Sequence, residues 1–343
     1  MKHAGTITEK MFQLMDELPD CCSSFLMETA TERSASTRLA YARDLGYFFD
    51  YLISYHPYFC EMEKKNITLQ DLNEVKTVDI NRFISVYSKT HGERTVARKK
   101  AAVSSFFAYL YNTLHAIQSN PVDGASRVKI HTKDFVVHLN LEEQEKLLNS
   151  VKYGIGLTPK QLALHPKYKK RDLALIMLFL DTGLRISEAH GIDLKDIDMD
   201  DCSIIVERKG GNLEKIYFGD ATRDCIDEYL ADRRSINYCV SAEDPLFITR
   251  AGNRLSVRQI QEIVPKYFEA SLPEKMDRIT PHRLRASFAM TFYGETKNLL
   301  LLQKKMSHKS IMATNIYAKA TDTESKDNRN IIDQLRKTHI NEQ

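Results

Sequence analysis

What this sequence of 343 residues lacks removes several classes of function. No apolar run approaches the roughly 20 residues needed to cross a bilayer. The longest, Leu173–Leu180, is short and sits inside a helical pattern. The opening segment MKHAGTITEK has no apolar core of the kind an export signal carries, so a cytoplasmic chain without a membrane partner is expected. Six cysteines (Cys21, Cys22, Cys60, Cys202, Cys225 and Cys239) form no CxxC pair and no Cys/His spacing suited to zinc. Reduced structural thiols are the expectation. Acidic residues show no cluster suited to a pair of catalytic metals, so neither metal nor other cofactor is expected. Charge of one sign is also scarce: the net value is +3 and the pI about 8.4, which permits a nucleic-acid partner without demanding one.

What is present, 43% hydrophobic and 28% charged residues, is enough for two domains, each with its own core. Helical spacing dominates. Tyr41, Leu45, Phe48, Phe49 and Leu52 fall on one helix face, with Ser36 or Thr37 as cap. Thr68 and Asp71 make a second capping pair, followed by a helix near 77–88. A further helix carries Val103, Phe106, Phe107, Leu110 and Leu114, and opens on Arg94, Arg98, Lys99 and Lys100. Cations there oppose the helix dipole. A phosphate backbone crossing this turn accounts for them, and a solvated basic face accounts for them equally.

The polar stretch 119–138 reads as a linker between an N-terminal domain at 1–118 and a C-terminal domain at 139–343. Asn140 and Glu143 form a capping box that starts the second domain. Thr158 and Pro159 start a short extra helix that ends in Lys167, Lys169, Lys170 and Arg171. Ser203–Arg208 and Glu214–Phe218 are rich in strand formers and flank Lys209-Gly210-Gly211-Asn212, a hairpin signal. The fold class expected is therefore mainly α with one small β-sheet.

Four segments carry polar residues that packing does not require. In Thr182-Gly183-Leu184-Arg185-Ile186-Ser187-Glu188, Arg185 opens a helix with a fork that matches two phosphate oxygens, and Glu188 can hold it. A surface ion pair one turn apart explains the same two residues. Lys209 at a glycine-rich turn can swing onto a substrate and donate a proton, although lysines are common on such turns. In Thr280-Pro281-His282-Arg283-Leu284-Arg285, Thr280 caps, and His282 and Arg285 share a face. Met306-Ser307-His308 precedes Tyr317; read locally, both His308 and Tyr317 are packing residues. Taken together, two arginines, a lysine, two histidines and a tyrosine make up a metal-free phosphoryl-transfer site. The tyrosine is an oxygen nucleophile that needs a base and a cationic setting.

This set, in this order, resembles the tyrosine recombinase (phage integrase) family. TGLRxSE stands at Thr182–Glu188, HxLR at His282–Arg285, and GHxxxxTxxxY at Ser307–Tyr317, with serine in place of the glycine. Ala286 follows HxLR where many members have histidine. Lys209 follows Arg185 at the interval that Xer-like members show, and 20–118 is similar to the family's helical core-binding domain. The resemblance implies a helical core-binding domain followed by an α+β catalytic domain. It implies that Arg185 and Arg285 bind the scissile phosphate, Lys209 protonates the 5′-oxygen, and His282 assists proton transfer. It further implies that His308 bonds the phosphate, Glu188 supports the site, and Tyr317 forms a 3′-phosphotyrosyl link. The implied partner is double-stranded DNA with paired inverted half-sites, bound by a homotetramer and served in some members by a partner recombinase or translocase. The implied role is Xer-like chromosome dimer resolution, or integration and excision of a mobile element. A tail helix with Ile331, Ile332 and Leu335 on one face would dock in cis or on a neighbouring protomer. A silent DNA-binding accessory protein and a type IB topoisomerase are the alternatives. Serine at 307 would be disfavoured by a turn of positive φ there.

Overall fold

The computed structural model describes residues 2–131, 136–208, 211–234, 241–275, 280–307 and 311–321, without the side chains of 2–6, 312–313 and 319–321. The chain divides into two units, Met1–Thr132 and Lys133–Gln343. Lys209, Gly210, Cys239, His308 and the tail carrying Ile331, Ile332 and Leu335 lie outside the described residues.

Unit 1 is built from α1 (Lys2–Met15), α2 (Asp20–Glu28), α3 (Ala35–Tyr55), α4 (Thr77–Ser88) and α5 (Glu93–Ala108). Its centre is aromatic: Phe25, Phe48, Phe49, Phe83, Phe106 and Phe107 are all buried, and rings meet edge to face, as Phe48 and Phe107 do at 5.8 Å. The expected face of α3 is the buried one, but its cap is Ser34 rather than Ser36 or Thr37. Ser34 holds the extended conformation and accepts from the Thr37 N–H at 3.3 Å. The Thr68–Asp71 pair closes a 3₁₀ turn, with the Thr68 N–H donating to Asp71 Oδ2 at 2.7 Å. At its end α5 widens into a π turn, Tyr109–Thr113, which rotates Leu114 off the apolar face and leaves it 40% exposed. Residues from 118 on run back along this unit. The Ser126 N–H donates to Asn81 Oδ1 at 2.8 Å, and the His131 N–H to Glu93 Oε2 at 2.6 Å.

Unit 2 begins with α6 (Leu141–Tyr153), capped reciprocally by Asn140 and Glu143 as expected. Next comes α7 (Pro159–Thr182), one continuous helix. The short basic helix and the apolar run expected as separate elements are thus a single helix with Pro166 inside it. A proline one turn or more into a helix forfeits one backbone bond. Ala174, Leu175, Ile176, Leu178 and Phe179 of the same helix are fully buried, and each large side chain contributes about 1.5–3 kcal/mol on burial, which outweighs that loss. Then follow α8 (Ile186–Gly191), β1 (Ile197–Asp198), β2 (Ser203–Glu207), β3 (Leu213–Tyr217), α9 (Asp220–Arg234) and α10 (Val257–Ser271). The chain continues with α11 (Pro281–Thr296), α12 (Leu299–Lys305) and α13 (Ile311–Thr321). The sheet is antiparallel in order β1-β2-β3, and the expected hairpin is β2–β3, in a register from Ser203↔Tyr217 to Glu207↔Leu213. Its turn is closed by Arg208 N–H to Asn212 O at 2.8 Å and Gly211 N–H to Arg208 O at 3.0 Å.

Candidate active site

The junction of α7 and α8 is shaped by Gly183. It ends α7 at φ +62, and a Cβ there would stand 2.4 Å from Phe288 Cδ1, so both conformation and space require glycine. Two residues on, Arg185 is the N-cap of α8 and Glu188 is its third residue. Glu188 accepts from the Arg185 backbone N–H at 2.8 Å through Oε2 and from Arg185 Nη1 at 2.7 Å through Oε1. The expected ion pair is therefore present, yet it is no ordinary surface pair. The Glu188 side chain is 3% exposed, while that of Arg185 is 34% exposed and keeps part of its fork open. Burial alone would raise the Glu188 carboxyl. The bonds from Arg185 and from Arg208 outweigh it and hold the group below the ordinary carboxylate range.

Arg285 is brought to the same place by α11. It is buried at 2% exposure and donates to the carbonyls of Gly183 and Met306. Burial, and next the Arg185 charge, push its guanidinium down to about 10. The α11 start differs from expectation in one detail: Thr280 occupies the cap position but makes no side-chain cap bond, and Pro281 begins the helix. His282 is exposed, and its imidazole is held below the ordinary value by desolvation, then by Arg285 and Arg185. A histidine so placed is neutral at neutral pH and can take a proton.

Tyr317 on α13 is 6% exposed, packed with Ala286, Phe288, Ala289, Met290, Leu302 and Met306. Its local reading as a packing residue is accurate as far as it goes. Burial raises the phenol above its ordinary value, and Arg285 acts on it in the opposite direction. Arg185, Glu188, His282 and Tyr317, which come from α8, α11 and α13, thereby all lie within the electrostatic reach of the Arg285 guanidinium. Among the described residues, no group of three or more His, Cys, Asp or Glu side chains is arranged to hold a metal ion.

Arg208 is a member of this site that the sequence pattern did not single out. It is 7% exposed and pairs with Glu188 Oε2 at 2.7 Å and with Glu214 Oε2 at 2.9 Å. The signal was available in the strand alternation, since Arg208, one residue past β2, continues the buried positions Ile204 and Val206. Ser307 does hold positive φ, at +47, as its place in the motif warned. Left-handed backbone costs a side chain of this kind about 1–2 kcal/mol. Its hydroxyl donates to the Glu214 carboxylate, a bond to a charged group worth about 1.5–3 kcal/mol, so serine is tolerated where glycine is usual.

The four cations at the start of α5 fare differently from expectation. Lys99 is 1% exposed; its ammonium lies 3.1 Å from the Tyr47 ring centroid and 3.6 Å from Asp44 Oδ1, so it does not reach solvent or a phosphate. Arg98 donates to Asp44, and Lys100 donates to the Ser126 carbonyl at 2.7 Å. Arg94 is exposed. Local partners on α3 and on the returning segment thus explain much of this basic turn.

The sequence profile described as Phage integrase family matches residues 139–324, and that of the Phage integrase N-terminal SAM-like domain matches 25–113. The chain is 32% identical over 349 aligned positions to the tyrosine recombinase XerC of Caldanaerobacter subterraneus, covering 96% of this chain and 92% of that one. It is 28% identical over 331 positions to the tyrosine recombinase XerS of Streptococcus thermophilus, with 88% and 91% covered. In fold it matches XerH recombinase in a post-cleavage complex with palindromic difH substrate, at TM-score 0.71, 21% identity, and 95% and 89% coverage. A lambda integrase dimer bound to a COC′ core site matches at TM-score 0.63, 14% identity, and 87% and 94% coverage.

Proposed function

The chain belongs to the phage integrase family and is a site-specific tyrosine recombinase, an enzyme that cuts and rejoins DNA; from this premise we propose that Tyr317 is its nucleophile. Arg185 and Arg285 are the phosphate clamp, Lys209 the leaving-group acid, His282 the proton acceptor, His308 a further phosphate ligand, and Glu188 the support of Arg185. One observation carries this reading: the buried Arg285 guanidinium bonds the carbonyls of Gly183 at the α7–α8 turn and Met306 at the end of α12, and its charge favours the ionised Tyr317 phenol.

The chemistry follows from the charges. A phosphodiester entering beside Arg185 and Arg285 meets fixed cations that stabilise the charge on its non-bridging oxygens in the transition state. The Tyr317 oxygen attacks phosphorus as its proton passes to a base, for which His282 is suited. The P–O5′ bond breaks, and the 5′-oxygen leaves as a hydroxyl with a proton from Lys209. The product is a 3′-phosphotyrosyl ester. Attack by another 5′-hydroxyl reverses the step and frees Tyr317, so rejoining needs no external energy source.

The reading extends to double-stranded DNA with paired inverted half-sites, synapsed by a homotetramer, in an Xer-like role or in movement of an element. It extends also to a division into a core-binding domain at 1–118, a connecting stretch at 119–138 and a catalytic domain at 139–343. XerH and lambda integrase are described as bound to their sites, which is the ground for the DNA partner here.

The test begins with fragmented genomic DNA of the encoding organism. Wild-type protein is incubated with it, quenched in SDS, and the attached fragments are sequenced. A nicked duplex built on the recovered sequence should then yield an SDS-stable adduct with wild type and none with Tyr317→Phe, at equal DNA affinity. Failure of wild type to form any adduct sinks the assignment.

A further inference from the structure

Three consecutive residues ahead of α13 are each held by a charged side chain from another part of unit 2. The Lys305 carbonyl accepts from Arg208 Nη2 at 3.5 Å, the Met306 carbonyl from Arg285, and the Ser307 hydroxyl donates to Glu214. Arg208 stands at the centre of this arrangement, because it also bonds Glu214 and Glu188. We propose that Arg208 is a positioning residue for strand cleavage. Through Glu188 it sets the Arg185 guanidinium, and through Glu214 and the Ser307 hydroxyl it latches the β2–β3 hairpin to the turn that ends α12. The inference rests on the reading in which Arg185 clamps the scissile phosphate and Tyr317 attacks it.

The division of one carboxylate between two arginines is what gives Arg208 an effect on chemistry. Glu188 Oε1 serves Arg185 Nη1, whereas Oε2 serves the Arg185 backbone N–H and Arg208 Nη1. With Arg208 present, the carboxylate cannot turn both oxygens to the Arg185 fork, and part of that fork stays available to a phosphate. Without it, Glu188 is free to bind Arg185 bidentately and draw it from the substrate. The latch acts on the other partner of the reaction. Glu214 is held below the ordinary carboxylate range because bonds from Arg208 and Ser307 outweigh its burial, so it is an anion when it accepts the Ser307 hydroxyl. That bond fixes a residue of positive φ just past the end of α12, four positions before α13 begins.

A purely structural ion pair would show itself as lost stability and lost binding together. The latch predicts a different pattern on the nicked duplex recovered by wild-type adduct capture. Arg208→Gln should slow single-turnover cleavage about 10- to 100-fold, with DNA affinity measured in a Tyr317→Phe background unchanged. Arg208→Lys, which keeps the charge but loses the fork, should recover part of the rate. Ser307→Gly should change the unfolding temperature little, since relief of backbone strain offsets most of the lost hydroxyl bond, yet cleave several-fold more slowly. In a cycle with Glu188→Gln, the Arg208→Gln loss should shrink without vanishing, because its route to Arg185 is already cut while the one through Glu214 remains. Additive losses in that cycle would overturn the route through Glu188, a Ser307→Gly enzyme as fast as wild type would overturn the latch, and cleavage that falls only in step with affinity or unfolding temperature would overturn both. A wild-type protein that forms no adduct overturns the reading beneath it, and the latch with it.

Discussion

Arg285 on α11 donates a hydrogen bond to the carbonyl of Gly183, 102 positions earlier in the chain. The acceptor is a glycine that must be left-handed, and the donor is a guanidinium almost wholly removed from water. Backbone conformation at one motif therefore decides the direction of the charged group supplied by another. The same guanidinium reaches the Met306 carbonyl and acts on the Tyr317 phenol against its burial, so segments from α7, α12 and α13 are tied to one side chain.

Gly183→Ala should accordingly damage both fold and chemistry. A methyl group at 2.4 Å from Phe288 Cδ1, on backbone at φ +62, combines overpacking with left-handed strain. Together these amount to roughly 2–5 kcal/mol. Urea unfolding should show the loss, and adduct formation at a temperature where the variant is still folded should fall as well, because the Arg285 acceptor has moved. A variant of wild-type stability would show that the α7–α8 turn adapts where the packing says it cannot.

The pH dependence of cleavage should carry the mark of His282. Desolvation and the two neighbouring arginines hold its imidazole below the ordinary value near 6.5. A base of lowered pKa stays available to lower pH, so the rate should be flat through neutrality and fall only on the acid side of that value. Single-turnover rates across pH, at saturating DNA, test this. His282→Gln should be slower and lose that acid limb; retention of the limb in the variant would assign the titration to another group.

The helices and the hairpin were legible because each depends on nearby residues. Apolar spacing announces α3 and α5, and strand formers about a glycine pair announce β2–β3. The catalytic groups could be named only as a set, since Tyr317 on its own surroundings is a core tyrosine, and the structure packs it as one. What was hidden depends on partners far away in sequence. Lys99 looked like a phosphate contact because Asp44 and Tyr47, which enclose it, belong to α3. Arg208 looked incidental because its partners lie on α8, on β3 and at the end of α12. The short basic helix looked separate from the apolar run at 173–180 because the burial that joins them in α7 is tertiary. Ser34 was passed over as cap because hydroxyls at 34, 36 and 37 are equivalent to a pattern, and only backbone conformation chooses among them.

Lys99 and Arg94 should separate cleanly in salt titrations. Arg94 is exposed, and if it meets a phosphate, Arg94→Ala should reduce the slope of log affinity against log salt by about 0.9. Lys99→Ala should leave that slope alone and destabilise the fold by roughly 2–4 kcal/mol. It removes a buried stem and its contact with Tyr47, and it leaves buried Asp44 with one cation fewer. Tyr317→Phe protein on the recovered duplex is the material for the slopes, and chemical denaturation of the same variants gives the stabilities. A changed slope in Lys99→Ala with unchanged stability would return Lys99 to the DNA surface.

Acid should weaken unit 2 through the carboxylates that hold its arginines. Glu188 and Glu214 both lie below the ordinary carboxylate range in the folded chain. A depressed folded pKa gives stability that is present above the unfolded value, near 4.3, and is lost as pH falls through the folded one. Wild type should therefore lose stability as pH drops from about 5 toward 3. Glu188→Gln should behave in two ways at once. At pH 7 it should be less stable by about 3–5 kcal/mol, because Arg208 stays buried at 7% exposure and Arg185 loses its anion. Toward low pH its stability should decline less steeply than that of wild type, since one linked carboxylate has gone. Denaturant unfolding at pH 7, 5 and 4 distinguishes the cases, and parallel curves for the two proteins would mean that Glu188 is not the group whose protonation loosens the site.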